Sequence, residues 1–138
     1  MPEDAFEAAI RETFARQRFM STIGAKPVRV AAGEAEIELP FSDRIGQQSG
    51  VVHAGVIAAI ADSACGGAAL TLMPPGSDVV SVEFKLNLLA PARGERFVAR
   101  ARVLRAGKTL TVCTADVIAI ADGGETLIAT MLGTMMRR

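Results

Sequence analysis

Apolar and polar positions change their spacing several times along the chain, and each change marks an element. Phe6, Ile10 and Phe14 recur every four residues, with Glu7, Arg11, Glu12 and Arg18 elsewhere around the same turn. That spacing predicts an amphipathic helix over residues 3–19. Pro2 and Asp4 suit its start. From Val28 to Leu39 the period drops to two: Ala35, Ile37 and Leu39 alternate with Glu34, Glu36 and Glu38. This reads as a strand with Gly33 as a turn or bulge within it, closed by Pro40. Residues 41–52 are rich in Ser, Gly and Gln and read as loop. Residues 54–73 are apolar nearly all round, which predicts a helix buried on most sides, ended by Pro74-Pro75-Gly76. Four strands are predicted beyond it, over 79–89, 97–104, 109–120 and 126–136. In the first, Val80, Val82, Phe84, Leu86 and Leu88 are expected on one face, and Ser81, Glu83, Lys85 and Asn87 on the other. In the second, Phe97, Ala99, Ala101 and Val103 oppose Arg100 and Arg102. The connections Ala90–Gly94, Ala106-Gly107 and Asp122-Gly123-Gly124 are short and turn-like, as in an antiparallel meander.

The order helix, strand, long buried helix, four strands is that of an α+β fold with one helix packed on an antiparallel sheet. A strongly curved sheet around the central helix would explain why that helix is so apolar. The 138 residues suffice for one compact domain with a sizeable core. Fifteen basic residues balance fifteen acidic ones, which argues against a general nucleic-acid binder. Asp62, the Gly66-Gly67 pair and the strands that follow argue against a membrane span over 54–73. The opening MPEDAFEAAIRE has no apolar signal region. Cys65 and Cys113 lie far apart, and with a single His they make no convincing zinc site. Free, buried, reduced thiols in a cytoplasmic protein are expected instead. Between Val79 and Lys108 stand seven basic residues and two acidic ones. They read either as a solvated sheet face or as a site for an anionic ligand such as a phosphorylated cofactor.

The candidate chemistry lies in residues 46–70, GQQSGVVHAGVIAAIADSACGGAAL. A lone carboxylate in so apolar a helix is costly to bury. Asp62 is thus either a structural acid, satisfied by Ser63, Ser81 or a backbone N–H, or a working one. A helix start presents unpaired N–H groups and partial positive charge. The N–H groups of Ala54 and Gly55, just after His53, suit a developing oxyanion. Gln47 and Gln48 add amide donors just upstream. Asp62 is two turns further along, about 12 Å away at 1.5 Å per residue. In a symmetric dimer, one chain's loop and the other chain's helix could share a site. His53 alone reads as a capping or packing residue. No G-x-S-x-G elbow, P-loop or G-x-G-x-x-G fingerprint occurs.

His53-Ala54-Gly55, Asp62-Ser63-Ala64 and Gly66/Gly67-Ala68-Ala69 together resemble the H-G/A-G-x6-D-x-A-x-G-x-A signature of hotdog-fold acyl-CoA thioesterases. The nearest resemblance is to the PaaI-like (phenylacetic acid degradation) branch. Val80 to Ala92 resembles that family's strand after the helix, and Gly107-Lys108-Thr109-Leu110 its next strand opening. The resemblance spans about residues 30–136. It implies a hotdog fold over the whole chain, with an N-terminal helix over about 3–19 and a core over about 28–136. It also implies an obligate homodimer, often a dimer of dimers (a homotetramer), with sites at the subunit interface. The implied reaction is hydrolysis of an aryl-acyl or medium-chain acyl-CoA to free acid and CoA, with no metal or other cofactor. Asp62 would activate water or attack the carbonyl. The Ala54 N–H would polarise that carbonyl with help from Gln47, and Ser81 would position water. His53 would hold the loop or bind near the thioester, beside Gln48 and Gly55. Arg93, Arg105 and Lys108 would meet the CoA phosphates. Two departures stand out: Gln47 replaces the Asn of many relatives, and Ala54 replaces a Gly while keeping its N–H. Rival readings are a non-catalytic acyl-CoA-binding module and a hotdog hydratase or dehydratase using His53 and Asp62.

Overall fold

A computed structural model of the chain describes residues 3–138, with side chains described from Glu7 onward. Pro2, and the side chains of Asp4 and Phe6, therefore lie outside the described set. The expected single N-terminal helix is two: α1, Glu3–Ala15, and α2, Arg18–Ile23. Phe14 and Met20 are both buried. On one straight helix they would point about 120° apart, so a break at Arg16-Gln17 lets both reach the core. The expected strand over 28–39 is likewise a hairpin, β1 (Lys26–Ala31) and β2 (Glu34–Pro40). Its turn depends on Gly33, whose φ of 74° favours a residue without Cβ.

A loop containing one short helical turn leads to α3, Ala54–Leu70, three residues shorter than the pattern predicts. Then come β3 (Val79–Leu88), β4 (Arg96–Ala106), β5 (Leu110–Ala121) and β6 (Gly124–Arg137). The six strands form one antiparallel sheet in the order β1-β2-β4-β5-β6-β3. The sheet curves around α3 without closing, which is the hotdog arrangement. Ile57, Ile60, Ala61, Ala64 and Ala68 on α3 meet Ile37, Phe97, Ala99, Ala115 and Met131 in the buried core. Small residues on α3 let helix and sheet approach closely; a Cβ on Gly67 would stand 3.3 Å from Ala35 Cβ. Cys65 and Cys113 are free and buried, with Cys113 Sγ 3.5 Å from the Cys65 carbonyl oxygen. The Cys113 thiol and burial together push the Cys65 thiol up, so it stays protonated.

Two features of the sheet bear on function. Two of the four arginines on β4 are paired with acids: Arg96 with Glu38, and Arg100 with Glu36 and Glu125. Second, β3 is an edge strand ten residues long, and Val82, Phe84 and Leu88 on it are 52, 44 and 55% exposed. A long apolar edge is a template for pairing with another strand.

The strict alternation expected along β3 is broken. Ser81 pairs with Met135, but Glu83 pairs with the next residue of β6, Thr134, so Val82 is an inserted bulge residue. The bulge puts Ser81 on the same side as Leu86, which packs on the core, although they are five residues apart. Unbroken alternation would place them on opposite faces. Among the described residues, no helix is long and apolar enough to cross a membrane.

Candidate active site

α3 carries two polar features at different heights. Near its middle, Asp62 is half-buried, and its Oδ1 accepts a hydrogen bond from the Ser81 hydroxyl at 2.6 Å. Ser81 also lies 3.5 Å from Met135 Sδ. The carboxylate is thus neither sealed in the core nor fully paired, because its second oxygen has no partner among the described residues. It opens into a recess of about 150 Å³ bounded by α1, α3 and the start of β3. Ser63, the other hydroxyl expected near Asp62, turns instead towards Gln17 Oε1, 3.5 Å away.

At the start of α3, His53 takes extended backbone geometry and caps the helix. Its Nδ1 accepts from the Gly55 N–H at 2.8 Å, which places the ring proton on Nε2. This corrects the expectation that both first N–H groups face the loop space, since the Gly55 donor is consumed by the cap. The Ala54 N–H makes no hydrogen bond among the described residues. It opens onto a cleft of about 510 Å³ whose wall includes Gln47, Leu88, Leu89, Pro91 and Arg93. The preceding loop is pinned on both sides: the His53 N–H donates to Ile45 O at 2.9 Å and the Val52 N–H to Ala92 O at 3.0 Å. Gln47 folds back on Val51 through its own N–H, which leaves its side chain exposed in the cleft wall. Gln48 is exposed and lines neither cavity.

The ten sequence-predicted residues therefore fall into three places within one chain. Asp62 and Ser81 meet. Gln47, His53, Ala54, Gly55 and Arg93 gather at the helix start, with Gln48 nearby in the loop. Arg105 and Lys108 sit where β4 turns into β5, at the end of the sheet nearer Ser81. From Arg96 to Arg105 a strand spans about 30 Å at roughly 3.3 Å per residue, so Arg93 and Arg105 cannot share one phosphate within a chain. Sequence reasoning missed the N-terminal contribution. Ile10, Thr13, Phe14 and Gln17 wall the Asp62 recess. Their only visible signal was apolar spacing, which reads equally as core.

Comparison with known proteins places this geometry. The model of the thioesterase superfamily matches residues 49–125, the span that holds Asp62, Ser81 and the helix start. A 1,4-dihydroxy-2-naphthoyl-CoA hydrolase of Listeria monocytogenes is 30% identical over 107 residues, covering 78% of this chain and 85% of that protein. The crystal structure of a thioesterase family protein from Silicibacter pomeroyi superposes with a TM-score of 0.93 at 45% identity, covering 96% of this chain and 97% of that one. The E. coli PaaI protein from the phenylacetic acid degradation operon shares the fold, with a TM-score of 0.86 at 16% identity over 99% of this chain and 95% of that one.

Proposed function

This chain belongs to the thioesterase superfamily and is a thioester hydrolase; we propose that it hydrolyses an acyl-CoA at a site shared between two copies of the chain. The observation that carries this reading is the separation along α3. Asp62 stands with Ser81 near the start of β3, whereas the Ala54 N–H opens onto a cleft walled by Leu88 and Leu89 at the end of β3. The two are about 12 Å apart along one helix, too far for one carbonyl to touch both. The outer side of β3 has no strand partner among the described residues, and Val82, Phe84 and Leu88 stand exposed along it. If two β3 edges pair antiparallel about a two-fold axis near Phe84-Lys85, Ser81 of each chain faces the Leu88 end of the other. Each Asp62 is then carried towards the partner's helix start. The same rotation brings each Arg93 towards the partner's Arg105 and Lys108, which would then serve the CoA phosphates together.

In this site the thioester carbonyl points at the Ala54 N–H of one chain, where the helix dipole favours the growing negative charge. Gln47 offers its side-chain amide to the same oxygen. The free oxygen of Asp62 takes a proton from water as that water attacks the carbonyl carbon. The carbon–sulfur bond breaks, the leaving sulfur takes the proton back from Asp62, and CoA departs as the thiol with the acid released. Ser81 fixes the carboxylate rotamer through Oδ1.

Mixing two defective chains tests the shared site. Ala54→Pro removes one N–H at the first helical position, where proline is tolerated. His53, at φ −59° and ψ 135°, already has the backbone that precedes proline. Asp62→Asn removes the base. Each variant alone is expected to be nearly inactive. Refolded as an equal mixture, they should recover about one quarter of wild-type sites, one intact site per mixed dimer. Activity no higher than that of either variant alone would place both groups in one chain's site and overturn the proposal.

A further inference from the structure

Gln17 stands where α1 breaks and α2 begins. It holds extended geometry just before α2, with φ −80° and ψ 94°, where a polar side chain ordinarily caps the helix, yet it makes no side-chain cap bond. It reaches across to α3 instead, where the Ser63 hydroxyl points at its Oε1 from 3.5 Å. Among the described residues this long contact is the single side-chain hydrogen bond between the N-terminal helices and α3, and Ser63 is next to Asp62 in sequence. The donor hydrogens around the Asp62 recess single Gln17 out. Each hydroxyl there carries one hydrogen, and each is spent: Thr13 on Ala9 O at 3.0 Å, Ser63 on Gln17, and Ser81 on Asp62. The two carboxylates, Asp62 and Asp78, supply none when ionised. The Gln17 amide nitrogen carries two hydrogens, and neither has a protein partner among the described residues. The recess thus pairs a free acceptor oxygen, on Asp62, with a free donor, on Gln17.

We infer that Gln17 is a further catalytic residue, supplied by the N-terminal segment, and that its amide nitrogen holds the water that attacks the thioester. The inference rests on the thioester-hydrolase reading and on Asp62 as the base. An attacking water gives one hydrogen to the base and keeps one lone pair for the carbonyl carbon; its second lone pair is left for a donor. One N–H of Gln17 donates to the water oxygen while a water hydrogen points at the free oxygen of Asp62. The water is then fixed at two points before attack, and such positioning lowers the barrier. Gln17 is exposed and already meets solvent, so no buried donor has to be uncovered for this. Ser63 orients the amide through Oε1. The break between α1 and α2 that lets Phe14 and Met20 both reach the core also sets Gln17 against α3.

Three variants test this by steady-state hydrolysis, and by single turnovers with enzyme in excess, of phenylacetyl- and hexanoyl-CoA and of the matching N-acetylcysteamine thioesters. Gln17→Met keeps the length and loses the donor. Gln17→Glu keeps an oxygen for Ser63 and loses the donor. Ser63→Ala keeps the donor and loses its orienting contact. Gln17→Met and Gln17→Glu are each expected to slow the single turnover and kcat about tenfold, the loss of one hydrogen bond to the reacting water, with KM within about twofold and Tm unchanged. Ser63→Ala is expected to fall between them and wild type. A rate within about twofold of wild type in Gln17→Met overturns the inference. So does a wild-type rate in Gln17→Glu, which would make the bridge to Ser63 structural, and so does a loss carried by KM alone. A wild type that cleaves only the N-acetylcysteamine thioesters overturns the acyl-CoA reading, while the same tenfold loss on those substrates upholds the role of Gln17. A wild type inactive on every thioester overturns both.

Discussion

The Ser81 hydroxyl stands 2.6 Å from Asp62 Oδ1 because one extra residue, Val82, is inserted in β3. Without the bulge, Ser81 would share a face with Lys85 and Asn87 and turn away from α3. The bond is charge-assisted and lies at the mouth of an open recess, so it orients a working carboxylate. Hydrogen bonds to charged groups contribute roughly 1.5–3 kcal/mol. Ser81→Ala should therefore lower kcat by about 10- to 100-fold, with little change in KM for acyl-CoA and no loss of folding. Deleting Val82 restores alternation and should reproduce the kinetic defect, whereas Val82→Ala, which keeps the bulge, should not. Steady-state kinetics on the three variants checks this.

Two carboxylates line the recess: Asp78 is held by the Val79 N–H and by Arg138, whereas Asp62 bonds Ser81 through one oxygen and keeps the other free. Asp62→Asn keeps the shape and loses the proton acceptor, so kcat should fall at least about 10²-fold, as general-base loss does. The path is read by a single turnover in ¹⁸O-labelled water with enzyme in excess. A general base puts label directly into the product acid. A nucleophilic carboxylate would instead release unlabelled acid in the first turnover and leave ¹⁸O on Asp62, which mass spectrometry of the peptide detects.

Much of this was legible in the residues. The alternation of Glu34, Glu36 and Glu38 with Ala35, Ile37 and Leu39 gave a strand with its buried face correctly assigned. The all-apolar stretch after His53 gave a helix with sheet on most sides. What escaped has a common cause: period arguments assume an unbroken period. The bulge at Val82 shifts every face before it by one, and no residue type announces it. The break at Arg16-Gln17 carries neither Gly nor Pro; it exists because Phe14 and Met20 must both be buried, a tertiary demand. Gly33 was noticed, but whether it bent a strand or ended one depended on pairing across the sheet. At the site, the sequence allowed His53 either a capping or a packing role, and the structure shows the cap. That the cap consumes the Gly55 N–H and leaves Ala54 as the open donor follows only from the 2.8 Å contact.

That contact makes a prediction about stability distinct from catalysis. His53 is exposed, and its Nδ1 satisfies one of the orphan N–H groups at the start of α3. Loss of an N-cap costs about 1 kcal/mol. His53→Ala should lower Tm by about 4 °C in a chain of this size. His53→Asn, a good capping residue, should restore most of it. If the ring acts only as a cap, kcat in the Asn variant returns with Tm; calorimetry and kinetics on the pair of variants separate the two roles.

The edge of β3 carries the last prediction. Phe84 is 44% exposed and lies next to the midpoint between Ser81 and Leu88. In the antiparallel pairing that sets Ser81 against Leu88, the two-fold axis passes between Phe84 and Lys85. Each Phe84 would then face a Lys85 across the axis, and the apolar neighbours Val82 and Leu88 would be covered with it. Replacing Phe84 by Lys sets like charges opposite each other at both of these pairs, which destabilises the pairing and blunts the edge as a template. The monomer keeps its core, because Phe84 is not among the residues of the buried cluster. Sedimentation velocity should show wild-type dimers, or pairs of dimers, converted towards monomer in Phe84→Lys at micromolar concentration. Activity should fall in step with the dimer and return as protein concentration rises. A monomeric variant with full activity per chain would remove the shared site, since no helix start would remain within reach of Asp62.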